Sequence, residues 1–239
     1  MIEFTRPTIG ILGGMGPAAT LDLYGQLIAS IQQEKALTEA RHIVINSIPV
    51  PNLFQQPDGF IREYLAKQTS LLESAGATVI GVCCNSAHHF FSSMQQAVSD
   101  EVVLVDLIQD VCLSAVNNGF RRPGIFSSSM ARPLYEQRCN FFNLDPVLLD
   151  CAGQEIVDQA ISRILLGDRS PELREELNIL AADMELRGAD CVILGCTDLP
   201  LVITAEDCIL PLVSSTAVLA GSLARLGSVA VSRGRGGEY

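Results

Sequence analysis

Short apolar runs alternate along the chain with longer stretches whose apolar residues return every three or four positions. TIGIL (8–12) predicts a strand, and Gly13-Gly14-Met15-Gly16-Pro17 follows it as a tight turn. Pro17 suits the first turn of a helix, where its missing N–H costs nothing. Leu23, Leu27 and Ile31 then recur every four residues, as on one helical face. HIVINSI (42–48) predicts a second strand, VPNLFQQPDG (50–59) a loop, and VVLVD (102–106) a fourth strand. A polar break from Asn118 to Gly124 marks the domain transition. The chain then restarts with GIF (124–126), a Ser127-Ser128-Ser129 turn that echoes the glycine turn, PVLLD (146–150) and a helix through 154–166. CILPLV (208–213) precedes a last helix over about 215–226, whose pattern sends it back to cover the first half.

The third strand belongs to a unit that occurs twice. IREYLAKQTSLLESAGATVIGVCC (61–84) and LREELNILAADMELRGADCVILGC (173–196) superimpose without a gap at an offset of 112. Arg62 matches Arg174, Glu63 matches Glu175, Leu65 matches Leu177 and Glu73 matches Glu185. Gly76-Ala77 then matches Gly188-Ala189, and Cys84 lands on Cys196. Each unit reads as an amphipathic helix, a Gly-Ala turn, a short apolar strand and a thiol at the strand's carboxyl end. Leu173, Leu177, Leu180 and Met184 step along one face of the second unit's helix. Open parallel α/β sheets place ligands and catalytic groups at such strand ends.

Strands that alternate with helices imply parallel sheets with right-handed crossovers. The expected fold is α/β: two similar domains, each a short parallel sheet flanked by helices, related by a pseudo-twofold with the site in the cleft between them. The expected boundaries are 1–118 for the first domain, completed by the helix at about 214–227, and 119–213 for the second. The Gly-, Ser- and Arg-rich tail 228–239 reads as disordered.

Composition narrows the chemistry. The 239 residues are 48% hydrophobic and 18% charged, in keeping with a globular α/β chain. A net charge of −11 removes the phosphate-neutralising attraction that drives nucleic-acid binding. No run of 18 apolar residues occurs, so no membrane span is expected. The opening MIEFTRPTIGIL lacks a basic start followed by an apolar stretch, which argues against export. The eight cysteines lie within apolar strands and helices, Cys112 and Cys191 among them, as reduced buried thiols of a cytoplasmic protein would. No C-x-x-C occurs and there are three histidines, so no metal is expected. The two lysines, Lys35 and Lys67, lie in predicted helices away from strand ends, poorly placed for a pyridoxal-phosphate Schiff base. Gly14-x-Gly16-x-x-Ala19 is a loose dinucleotide fingerprint, but the second strand ends Asn46-Ser47-Ile48 without the supporting acid. No cofactor is expected.

Cys84-Asn85-Ser86-Ala87-His88 falls where strand gives way to helix. Asn and Ser cap helices, and the positive helix end is expected to lower the thiol's pKa towards neutral and to suit a carboxylate. Cys83 should point the other way along the pleat, into the core. Cys196-Thr197-Asp198 repeats the arrangement: a thiol, a hydroxyl cap and a carboxylate in the first helical turn. His88 and Asp198 are candidates to tune or relay protons at these thiols. Ser128, in the serine turn, joins the candidate substrate-binding set, as does Arg132, a candidate cation just after it.

GILGGMGPAATLDLY (10–24), CNSAH (84–88) and LGCTDLPL (194–201) together resemble the aspartate/glutamate racemase family, in its aspartate-racemase-like branch. The resemblance spans most of residues 8–226. It implies two α/β domains, a cofactor-independent two-base mechanism, a homodimer, and Cys84 and Cys196 as the bases. It further implies that Met15 and Gly16 line the cleft and that Asn85, Ser86 and Thr197 hold the substrate's α-carboxylate and amino group. Such racemases hold a side-chain carboxylate with an arginine after the second strand and a lysine in the second domain's helix. Here those positions read Leu53 and Leu165, so the substrate stays open between an amino acid and a dicarboxylate. The expected function is amino-acid racemisation. The alternatives are a maleate- or hydantoin-type isomerase or a decarboxylase on the same scaffold, and an inactive ligand-binding homologue.

Overall fold

The computed structural model describes residues 7–33, 41–49 and 55–228. The first half runs β1 (Thr8–Gly13), α1 (Pro17–Gln33), β2 (Ile43–Ser47), α2 (Asp58–Ser74) and β3 (Ala77–Val82). A 3-10 turn over Ser86–Phe90 leads to α3 (Phe91–Gln96), β4 (Val103–Leu104) and α4 (Leu107–Asn117). The second half runs β5 (Pro123–Ser127), α5 (Arg132–Phe141), α6 (Cys151–Leu165), α7 (Pro171–Leu186), β6 (Cys191–Gly195), β7 (Leu212–Ser214) and α8 (Ser215–Leu226). The strands form two parallel sheets, ordered β2-β1-β3-β4 and β5-β6-β7. The α/β architecture expected from the alternating pattern is present.

The repeated unit folds twice in the same way. Its helices are α2 and α7, and each stops at a glycine with positive φ, 95° at Gly76 and 88° at Gly188. A residue with a Cβ adopts that conformation only under strain, so glycine there ends the helix and turns the chain into the strand. Within β3 and β6 successive side chains then alternate between two cores. Val79 and Cys83, like Cys191 and Ile193, enter a layer between the two sheets. Ile80 and Val82 face α2 and α3, and Val192 and Leu194 face α6 and α7. Cys83 is fully buried, on the opposite side of the pleat from Cys84, as expected.

The layer between the sheets is continuous. It draws Leu23 and Leu27 from α1, Val111 and Cys112 from α4, Tyr135 and Cys139 from α5, and Leu219 and Leu223 from α8. The last helix packs on a strand of the first sheet: a Cβ on Gly81 of β3 would lie 2.9 Å from Leu223 and 3.0 Å from Leu219. That glycine lets the two leucines rest on the strand itself.

Several boundaries differ from the pattern, each for a local reason. The fourth strand shrinks to Val103–Leu104 because Asp106 caps α4, accepting the Gln109 N–H at 3.0 Å. The helix expected from 154 starts at Cys151, because Asp150 accepts the Gly153 N–H at 2.8 Å. PVLLD contributes only a single bridge, Val147 to Gly124. The last strand begins after Pro211, whose nitrogen has no hydrogen to give the ladder. Residues 58 and 59 of the expected loop lie in α2. Lys35, Leu53 and the tail from 229 lie outside the described residues.

Among the described residues no helix is long and apolar enough to cross a membrane. All eight cysteines are unpaired, with Cys112 and Cys191 fully buried and Cys151 exposed.

Candidate active site

The strand ends of the two repeat units face one another across a cavity of about 200 Å³. Cys84, two residues beyond β3, and Cys196, immediately after β6, both line it and both keep partial exposure. Met15, Asn85, Ser86, Ser128, Thr197 and Asp198 share the lining, so most of the residues singled out in the sequence converge here. Met130, Ile161 and Gly195 join them, and so does Leu165, at the position where the resemblance implied a lysine.

Polar contacts tie the two halves together around this cavity. The Ser86 and Ser128 hydroxyls are 2.9 Å apart. Thr197 donates its hydroxyl to the Cys83 carbonyl at 3.4 Å, and the Thr216 hydroxyl donates to the Thr197 carbonyl at 3.2 Å. Tyr135 donates to Asn85 Oδ1 at 2.6 Å, and Asn85 Nδ2 donates to Ser215 Oγ at 3.1 Å. The amide of Asn85 is thereby fixed between α5 and α8, with the second Nδ2 hydrogen left over for another acceptor. Tyr135 reaches it because Gly195 has no side chain; a Cβ there would meet the tyrosine ring at 2.5 Å. Tyr135 escaped the sequence reading, since its only local signal is the glycine before Cys196.

Gly16 works in a similar way against Asp198. A Cβ at Gly16 would lie 2.5 Å from both carboxylate oxygens, so the glycine turn after β1 leaves the room that the Asp198 side chain occupies. Asp198 accepts from the Cys196 thiol at 3.9 Å and is 5% exposed. Burial pushes its carboxyl up to about 6, opposed by the field of Arg169 and by the Cys196 contact.

Both thiols sit well above the ordinary range, which corrects the expectation of a lowered pKa. Burial pushes Cys84 up to about 12, and the N–H groups of Ala87 and Ser86 only partly offset it. Cys196 is raised by burial, then by the Asp198 charge, against the N–H groups of Asp198 and Leu199. Two backbone N–H groups are too few to replace the water a thiolate loses in an enclosed site. Both sulfurs therefore favour the protonated form at neutral pH.

Two other expectations are also corrected. His88 does not reach a sulfur: its Nε2 accepts the Leu107 N–H at 3.2 Å, which leaves Nδ1 to donate to the Cys84 carbonyl at 2.9 Å. Burial lowers its pKa, so the ring is a neutral strut between Cys84 and the start of α4. Arg132 does not supply a cation either. Its guanidinium turns to Glu136 at 2.8 Å, to the Leu149 carbonyl at 3.1 Å and to Gln154 at 3.4 Å, beside a separate groove. Arg62 lies against Phe90 and donates to Ser93, while its counterpart Arg174 donates to the Val202 carbonyl and Asp207. Each of these two arginines lashes its helix to the segment that follows the neighbouring thiol.

The same chain pattern occurs in known proteins. The broad-specificity amino-acid racemase RacX of Bacillus subtilis (strain 168) is 24% identical over 229 residues, covering 90% of this chain and 95% of RacX. An aspartate racemase homologue from Pyrococcus horikoshii OT3 superimposes with a TM-score of 0.78 at 26% identity, covering 93% of this chain and 99% of its own. The aspartate racemase of Picrophilus torridus gives the same TM-score at 23% identity over 92% of this chain and 93% of its own. The model of the Asp/Glu/Hydantoin racemase family matches residues 12–223, which takes in both repeat units and the whole cavity, and the chain belongs to that family.

Proposed function

We propose that the chain racemises an amino acid without a cofactor, using Cys84 and Cys196 as the two proton carriers. The observation that carries this reading is the pair of thiols at equivalent strand ends, lining one cavity of about 200 Å³ from opposite repeat units. Inversion at Cα needs one base and one acid on opposite faces, and the product of one direction is the reactant of the other. Two near-equivalent groups meet that requirement.

The resting thiols must first share out one charge. Asp198, already an acceptor for the Cys196 thiol, takes its proton and leaves a thiolate. An amino acid's ammonium group brings a positive charge into the cavity and favours that step. The Cys196 thiolate removes the α-proton, and the Cys84 thiol delivers its own proton to the other face. The enzyme is then left with a Cys84 thiolate and a Cys196 thiol, which is the state that takes the opposite enantiomer. The carbanion between the two steps needs hydrogen-bond donors around the α-carboxylate. The free Nδ2 hydrogen of Asn85 and the one hydroxyl hydrogen left over from the Ser86–Ser128 pair support this reading, since all three residues line the cavity.

Decarboxylation on one thiol would leave the second sulfur without a task, so the retained pair favours racemisation. The test is solvent deuterium at Cα, followed by proton NMR in D₂O with each enantiomer of a panel of amino acids. Wild-type protein should exchange and interconvert both enantiomers. Cys84→Ala and Cys196→Ala should each lower interconversion by at least about 100-fold, the scale of one general acid or base. Near-normal turnover in either variant would remove the two-thiol assignment.

A further inference from the structure

We infer that this cavity selects amino acids with uncharged apolar side chains, aliphatic or thioether, over dicarboxylates. The inference rests on the racemase reading and adds the substrate class to it. The cavity is two-sided in its chemistry. The strand ends contribute the polar groups that suit an α-amino acid's backbone. Met15, Met130, Ile161 and Leu165 contribute the rest, from the two turns after β1 and β5 and from one face of α6. Leu165, one helical turn beyond Ile161, remains 49% exposed, whereas Ile161 is 8% exposed. An apolar rim of this kind gains by covering itself with another apolar group.

Charge points the same way. Among the described lining residues none is basic, and the one carboxylate is Asp198. A second substrate carboxylate would lose water against methionine and leucine side chains and meet the Asp198 charge. Two nearby cations are paired with carboxylates outside the cavity. Arg132 faces Glu136, and Arg163 is paired with Asp168 and Glu176. Arg169 donates to the Ile164 and Asp168 carbonyls at 2.8 and 2.6 Å, and its field already acts on Asp198. With no basic group among the described lining residues and an apolar wall facing a distal carboxylate, methionine or leucine should outrun aspartate or glutamate in kcat/KM by about 100-fold.

The experiment measures deuterium exchange at Cα and, by calorimetry on the same wild-type protein, binding of methionine, leucine, aspartate and glutamate. Preferred binding and exchange of the neutral pair supports the inference. Leu165→Lys should then lower exchange of methionine and raise that of aspartate. Preferred binding or exchange of aspartate or glutamate overturns it, and selective loss of that preference in Arg169→Leu would identify Arg169 as the group that reads the second carboxylate. Binding of methionine without any exchange keeps the apolar selection and rejects the racemase reading. Failure to bind or exchange any of the four overturns both.

Discussion

The Asp198 carboxylate lies against Gly16, within reach of the Cys196 thiol, with 5% of its surface exposed. Burial lifts its pKa from an ordinary 3.8 to about 6, so between those values the folded chain holds a proton that the unfolded chain has begun to release. Its favourable contribution to folding is therefore whole below the unfolded value and is lost as pH rises through about 6. Asp198→Asn removes the titration. The variant should gain stability over wild type by on the order of 1–3 kcal/mol at pH 8, and by about 1 kcal/mol less at pH 5. Urea unfolding at the two pH values measures it, and a pH-independent difference would rule out the buried-carboxylate account. His88 titrates as well, with a lowered pKa, but it is common to both proteins and cancels in the comparison.

The two copies of the helix–glycine–strand element have the same shape but different surroundings. At Gly76 an added Cβ would meet nothing within 4 Å, so Gly76→Ala costs only backbone strain, about 1–2 kcal/mol. At Gly188 the added Cβ would fall 2.2 Å from Arg122 Nη1, which donates to the Gly188 and Arg187 carbonyls. Gly188→Ala should therefore cost about 1 kcal/mol more than Gly76→Ala, since the guanidinium must leave its carbonyls. Denaturant midpoints of the two variants check this, and equal costs would show that Arg122 moves aside freely. The repeat, both Gly-Ala turns and the pleat that separates Cys83 from Cys84 were all legible in the sequence, because each follows from a period or a turn preference that acts within a few residues. The ends of the strands were less so. Asp106 and Asp150 start their helices through side-chain caps that override the apolar pattern.

At the scale of the whole molecule, the layer between the sheets is shared rather than divided. Leu223 of α8 rests on β3 at Gly81, and the same layer takes in Ile125, Cys191 and Ile193 of the second sheet. Leu223→Ala should cost about 2–5 kcal/mol, as a large-to-small change in a tight core does. Because both sheets depend on that layer, wild type and variant should each unfold in a single calorimetric transition. Two resolved transitions, with only the first shifted in the variant, would show that the halves are held independently. The candidate cavity takes Met15 and Cys84 from the first half and Ile161 and Cys196 from the second, so residues about 110 positions apart in sequence come to line it together.

The sequence by itself determined the alternation of strands and helices, the doubled unit and the two thiols at matching strand ends, because hydrophobic period and glycine turns act locally. The tertiary structure alone decided what those thiols experience. It turned Arg132 away, committed both nitrogens of His88, and brought Tyr135 to Asn85 and Asp198 beneath Gly16. It also enclosed the sulfurs until burial outweighed the helix-end N–H groups. Desolvation and side-chain partnership depend on what arrives from distant parts of the chain, and no local pattern of residues encodes them.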